Sequence, residues 1–141
     1  MTPQEALQAT LAGEHAAVHV LGVVGGRVSV STRPDLWTAV QDAYERHRER
    51  RDRLVAMVTA AGDEPIAAEV SYELPNRAAT PAQLEACARI TEERCAAVYA
   101  DMVGSTAGAN RQWALDALED AARRSLGFAG SPEAFPGIAE L

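Results

Sequence analysis

Ionisable residues stand in this sequence at helical positions where an apolar side chain would be expected. Glu14 falls between Leu11 and Val18 in one apolar stripe of helical spacing, and His47 is central in the next stripe. Glu92 borders a third stripe. An isolated carboxylate is costly to bury, so each acid needs a metal ion, a cation or a proton as its partner. The chemistry that these residues support is therefore metal binding or buried ion pairing.

A fourth apolar stripe carries two acids that are one turn apart. Asp116 and Glu119 lie beside Leu115 and Leu118, so each predicted helix offers ionisable groups at a similar depth. Carboxylates and imidazoles together are suitable ligands for iron or manganese. The candidate metal ligands are Glu14, His47, Glu92, Asp116 and Glu119.

Arginines supply a second explanation for the same acids. Arg50 and Arg51 lie one turn beyond His47, and a guanidinium can satisfy both oxygens of Glu14 without a metal. Buried networks of this kind fix the register of helices more surely than they add stability. We favour this interpretation and expect Glu14 to be buried and to face His47. The predicted buried polar centre consists of Glu14, His47, Arg50, Arg51, Glu92 and Tyr99.

Four helices are predicted to position these residues. Apolar spacing and cap signals predict helices over about 3–28, 34–61, 81–103 and 109–128, followed by an extended tail over 129–141. Two helix starts, at Thr2 and Thr80, combine an N-cap threonine with a proline at N1. The inward residues predicted for the fourth helix are Leu115, Leu118, Ala122 and Leu126, and the apolar residues of the tail are Phe135, Ile138 and Leu141.

The segment between the second and third helices is too long for a simple turn. Antiparallel neighbours are joined by about 2–8 residues, whereas GDEPIAAEVSYELPNRAAT can extend to roughly 60 Å, beyond the roughly 40 Å length of such helices. A linker that travels the length of a bundle is typical of the ferritin-like topology. We therefore predict a single all-α domain over 1–141, a ferritin-like four-helix bundle with a long crossover between helices 2 and 3.

Five stretches spread over nearly the whole chain carry a resemblance to a known family. They are EHAAVHVLGVVG, HRERRDRL, YELP, EERCAAVYADMV and the FPG of the tail. Through them the chain resembles a small actinobacterial ferritin-like domain family of unknown function. The resemblance implies a fold and brings no activity.

The resemblance also permits a comparison with the di-iron ligand pattern. Ferritin-like di-iron proteins use a Glu on each of two helices and a Glu-x-x-His on each of the other two. The two lone glutamates have matches, but the other motifs become Tyr44-x-x-His47 and Asp116-x-x-Glu119. The resemblance thus implies a degenerate metal site. We expect no cofactor, and iron or manganese if a metal is bound.

Composition limits the partners and the compartment. The net charge of -7 argues against nucleic acid or an anionic membrane as the main partner. No signal peptide or long uncharged apolar run is visible. Cys87 and Cys95 lie eight positions apart in one predicted helix, roughly 12 Å and too far for a disulfide. We expect a cytoplasmic protein with reduced thiols.

Three functions remain open at this level. The first is a non-catalytic bundle that acts through protein–protein contacts, with another protein or as a homodimer. The second is a di-iron-type metal oxidase or metal-storage relative. The third is a small-molecule binder that uses the polar interior of the bundle. We favour the first, in which the protein is not an enzyme.

Overall fold

The computed structural model is an all-α bundle that describes residues 1–138. Its helices are α1 (Pro3–Arg27), α2 (Pro34–Ala60), α3 (Pro81–Ser105) and α4 (Gly108–Gly127). Within residues 1–138 there is no strand, and no helix in this range is long and apolar enough to cross a membrane. The helix ends differ from the predicted ones by two residues or fewer. Leu141 lies outside the described residues.

Local signals explain where these helices begin and end. The Thr2 hydroxyl accepts a 3.1 Å hydrogen bond from the Glu5 amide, while the Glu5 carboxylate accepts one of 2.7 Å from the Thr2 amide. This reciprocal capping box satisfies two amides that the helix leaves free. Thr80 caps α3 in the same way through its hydroxyl. At the end of α2, Gly62 adopts φ +86, a conformation that glycine enters without steric cost.

Two apolar clusters at opposite ends of the bundle show the helix directions. The first cluster contains Val24, Leu36, Leu84 and Phe128. The second contains Leu7, Leu54, Met102 and Ala114. Each helix therefore has one end in each cluster. α1 and α4 point one way, and α2 and α3 point the other way.

The connection between α2 and α3 runs the length of the bundle along α1. Its contacts with α1 follow chain order, from Gln8 near the beginning of that helix to Arg27 at its end. They join Gln8 to Glu64 and Ile66, His15 to Ile66, His19 to Tyr72, and Arg27 to Arg77. The prediction of a long crossover is confirmed, and the crossover is what makes α2 and α3 point the same way.

The helices do not close into a complete ring. α1 packs against α2 and α3, and α3 packs against α4. Within the described chain, the backbones of α2 and α4 scarcely approach one another. A groove remains on that side of the bundle, bridged by the side chains of Arg50 and Asp120.

The buried face of α4 is not the predicted one. We expected leucines to face inward, yet Leu115 is 42% exposed and Leu126 is 45% exposed. The buried residues are instead Ala114, Ala117, Ala121 and Ser125. A shift of one position rotates a helix face by about 100°. Small residues allow α4 to lie close to α3, and this close packing moves the larger side chains to the flank.

The described part of the tail, through Ile138, is not helical and lies against α3. Gly137 has φ +78, and a Cβ atom there would stand 2.3 Å from the carbonyl oxygen of Ala96. The position therefore requires glycine for both conformation and space. This contact gives the Phe-Pro-Gly stretch a structural role as the point at which the tail crosses α3.

Candidate functional site

A buried polar centre lies between the two apolar clusters. Glu14 comes from α1, His47 from α2, and Glu92 and Tyr99 from α3, and all four side chains are essentially inaccessible to solvent. Glu14 is one turn beyond Leu11, so the helical period of α1 turns it into the core. These four predicted residues are brought together.

His47 is the middle member of a row of three. Its Nδ1 lies 2.6 Å from Oε2 of Glu14, and its Nε2 lies 3.2 Å from Oε1 of Glu92. The Tyr99 hydroxyl donates to the second oxygen of Glu14. Both ring nitrogens of His47 and both oxygens of Glu14 are therefore engaged.

The two carboxylates keep His47 charged despite its burial. Burial alone would lower the pKa of His47, but the charge of Glu14 and the hydrogen bonds to Glu14 and Glu92 outweigh that effect and raise the pKa to about 9. The imidazolium form has two N–H groups. It therefore donates to both carboxylates at neutral pH.

A second arm of the network extends from Tyr99 to α4. Arg50 donates to the Tyr99 hydroxyl over 3.4 Å and to Asp120 over 2.6 Å. Arg124 donates to the same oxygen of Asp120 over 2.9 Å. Burial would raise the pKa of Asp120, but the hydrogen bonds and charges of Arg124 and Arg50 lower it. Asp120 is therefore a carboxylate at neutral pH.

The network as a whole is balanced in charge and joins all four helices. Its acids are Glu14, Glu92 and Asp120, and its bases are His47, Arg50 and Arg124. Removing one member of a buried set leaves an uncompensated charge. The stability lost in this way is far larger than the stability that the complete set adds. The arrangement thus ties the relative rotation of the helices to one pattern of charges.

Three predicted members lie outside the centre. Arg51 points to the surface and pairs with Asp52. Asp116 and Glu119 are exposed on α4, where Asp116 accepts a hydrogen bond from Gln112 and Glu119 pairs with an arginine of the same helix. Asp116 and Glu119 are exposed because α4 is rotated relative to the predicted orientation, so that its inward face consists mainly of alanines. The structure therefore does not bring the two α4 members of the predicted metal ligand set to the buried centre.

A di-iron site does not fit these residues. Two metal ions need about four carboxylates to bridge them and offset their charge, and the described centre offers Glu14 and Glu92, with His47 between them. Both ring nitrogens of His47 face carboxylate oxygens, so neither points to an open position that a metal ion could occupy. Tyr44, at the position of a bridging Glu in the ferritin-like di-iron pattern, packs instead against the first apolar cluster.

Two features of the centre are compatible with a single ion. One ligand atom from each of Glu14, His47 and Cys95 lies within 4.8 Å of the others. Oε2 of Glu92 is buried and finds no hydrogen-bond donor among the described residues. However, burial, followed by the charges of Glu14 and Glu92, raises the pKa of the Cys95 thiol. A metal would have to displace the proton from that thiol in order to bind it.

Sequence reasoning missed Asp120 and the place of Cys95 in the centre. The signal for Asp120 was available, since Arg50 on the inward face of α2 requires an acid. The correct phase of α4, read from its alanines, turns Asp120 toward α2. Arg124 lies one turn further along the same side of α4.

Comparison with known proteins assigns the chain to a family. Residues 6–140 match the family described as a domain of unknown function, DUF4439. The chain belongs to this family. A crystal structure of a conserved hypothetical protein from Mycobacterium tuberculosis superimposes with a TM-score of 0.83 and 28% identity, over 90% of this chain and 94% of that one. No functionally curated protein matches. Neither description names an activity, so the function of this DUF4439 protein is unknown.

Proposed function

We propose that this protein is a non-catalytic helical-bundle protein that acts through protein–protein contacts, one of which is with a second copy of itself. The observation that carries the proposal is the leucine stripe on the flank of α4. Leu115, Leu118, Ala122 and Leu126 follow helical spacing, yet this stripe lies beside the buried face instead of within it. An amphipathic flank of this kind is a common docking surface.

The buried centre supports a structural role for the interior. His47 and Arg50 are paired with acids on other helices, and Arg124 pairs with Asp120 on its own helix, α4. Such a network specifies how helices pack. It leaves His47 with no free nitrogen for proton transfer to a substrate.

A second copy is the occupant that the charges on the stripe favour. Glu119 and Arg123 lie between Leu115 and Leu126 and pair with each other within one chain. In a two-fold contact of antiparallel α4 helices, Leu115 lies against the partner's Leu126, and the two leucine pairs made in this way are about 17 Å apart along the helix. The same register brings Glu119 near the partner's Arg123. The stripe is therefore complementary to itself in charge and pairs leucine with leucine.

The test is the mass of the protein in solution. By sedimentation or light scattering, we expect the wild-type protein to have twice the chain mass of 15.0 kDa. Leu115→Lys should have the mass of a single chain. Val55→Lys is the matched control, since Val55 is an aliphatic residue on α2 with a similar exposure of 37%. A wild-type protein that stays monomeric at about 100 µM would overturn the self-association, because it excludes a contact of useful strength.

Ancestry and location belong to the same proposal. The order of the helices, the crossover and the central Glu14 and His47 support a ferritin-like origin in which the metal site has degenerated. Two buried cysteines without a disulfide support a reducing compartment such as the cytoplasm.

A second candidate function, the binding of one metal ion, is favoured by Glu92. Its Oε2 is a buried acceptor without a donor in the described chain, and such atoms call for a specific explanation. An iron or manganese ion held by Glu14, His47 and Glu92 would satisfy it. Binding requires His47 to lose its proton and to turn one nitrogen from a carboxylate to the metal.

Metal analysis after reconstitution with ferrous iron tests this candidate. One ion per chain is the expected content, with loss of that ion in Glu92→Gln and retention in Asp116→Asn, whose carboxylate is exposed. Sub-stoichiometric iron in the reconstituted wild-type protein would eliminate the candidate. The self-association is measured separately and does not depend on this result.

A further inference from the structure

The open side of the helix ring forms a groove between α2 and α4. Its volume is about 370 Å³, within the range of about 300–1,000 Å³ that is usual for small-molecule sites. Its α2 wall is lined by Arg46, Glu49, Arg50 and Arg53, and its α4 wall by Trp113, Asp116, Ala117 and Asp120. Positions 46, 50 and 53 recur at helical spacing, so three guanidinium groups share one face of α2.

We propose that this groove binds a small organic anion that carries a flat ring. Guanidinium groups pair with carboxylate or phosphate through parallel hydrogen bonds. The half-buried indole of Trp113 offers an apolar surface against which a ring can pack. This site is additional to the self-association proposed above and lies on a different side of α4.

The charges in the groove leave one arginine free for a ligand. Glu49 accepts a hydrogen bond from Arg46, and Asp116 accepts one from Gln112. Among the residues that the structure describes, Arg53 has no acid within 4.0 Å. Arg53 is therefore the residue on which an added anion gains the most, and it is the residue to test.

Arg50 connects the groove with the buried centre. Its side chain is only 7% exposed, and it donates to Tyr99 and Asp120. Trp113 packs edge-on against the Tyr99 ring, with the ring centres 6.1 Å apart. A ligand anion would compete with Asp120 for Arg50. Binding of the anion would therefore disturb the hydrogen bond from Arg50 to the Tyr99 hydroxyl, which itself donates to Glu14.

Titration calorimetry with three probes tests the proposal. 1-Naphthyl phosphate and 1-naphthoate present a flat ring with a phosphate or a carboxylate, and inorganic phosphate presents the anion without the ring. We expect at least one naphthyl probe to bind with a dissociation constant below about 1 mM and to bind at least tenfold more tightly than inorganic phosphate. The comparison between the two naphthyl probes identifies which anion the groove prefers.

Two charge-matched variants decide whether binding occurs in the groove. Arg53→Met should weaken the naphthyl probe at least fivefold. Arg48→Met removes the same charge from α2 at an arginine outside the groove, paired with Glu45, and should leave the affinity unchanged. Absence of binding by both naphthyl probes would overturn the proposal, as would an equal loss in the two variants. Neither result would bear on the mass of the protein in solution.

Discussion

His47 should make the stability of this protein fall as the pH rises from 6.5 to 9. Its pKa is raised from 6.5 to about 9 in the folded protein, so the folded state binds the proton more tightly than the unfolded state does. The resulting stabilisation is complete below pH 6.5, where both states are protonated. It is lost progressively as the pH rises through the folded pKa.

The magnitude follows from the two pKa values. They differ by about 2.5, and each pKa unit corresponds to about 1.36 kcal/mol, so the free energy of unfolding should fall by about 3 kcal/mol across this range. Burial also raises the pKa values of Cys95 and Tyr99. Their contribution begins where the unfolded thiol and phenol ionise, near pH 9 and above, so measurements should stop at pH 9.

Urea unfolding of the wild type and of His47→Gln at several pH values between 6 and 9 measures this effect. The variant has no titrating group at this position, so the difference in unfolding free energy between the two proteins isolates His47. We expect that difference to shrink by about 3 kcal/mol as the pH rises. A difference that stays constant within about 0.5 kcal/mol would show that folding does not raise the pKa of His47 and would refute the ionic network.

Three further changes probe the same structure. Glu14→Gln should lower the free energy of unfolding by about 2–4 kcal/mol, because it leaves His47 without its nearest counter-charge. Asp116→Asn is the exposed control and should change the free energy of unfolding by less than about 0.5 kcal/mol. Equal effects of the two substitutions would contradict the burial argument. Tyr99→Phe should cost about 1–3 kcal/mol through the lost donor to Glu14, and a neutral result in urea unfolding would remove Tyr99 from the network. Gly137→Ala should release the tail from α3, seen as faster amide hydrogen exchange in residues 131–138, whereas unchanged exchange would mean that the close contact is not required.

The inward faces of α1 and α2 could be predicted because large apolar residues mark them. The buried residues of α2 include Leu36, Val40, Leu54 and Val58 at helical spacing, and His47 continues their line. In α4 the same reasoning failed, because the leucines lie on the flank and Ala114 and Ala117 make the close contacts. Periodicity of large side chains detects a core that is filled by volume, and it misses one that is filled by close approach of backbones.

The candidate site was predictable where it depended on one helix at a time. Glu14 and His47 follow from the phase of their own helices. The choice between Arg50 and Arg51 does not, since adjacent positions point about 100° apart and the decision depends on where an acid stands across the bundle. That acid is Asp120, whose orientation is set by the packing of α4 on α3. Contacts between helices therefore determine which residues join the site where the sequence of a single helix does not predict them.

The charge balance of the buried network has a consequence for how this family can change over evolutionary time. A single replacement at Glu14 or His47 passes through a state with an unpaired buried charge, whereas joint replacement by neutral residues of similar volume is close to neutral in stability. Relatives should therefore keep the acid and the base together or lose them together. The links from Arg50 to Asp120 and from Asp120 to Arg124 extend this expectation to α4, so substitutions on α2 and α4 should be correlated across the family even though the two helices scarcely touch.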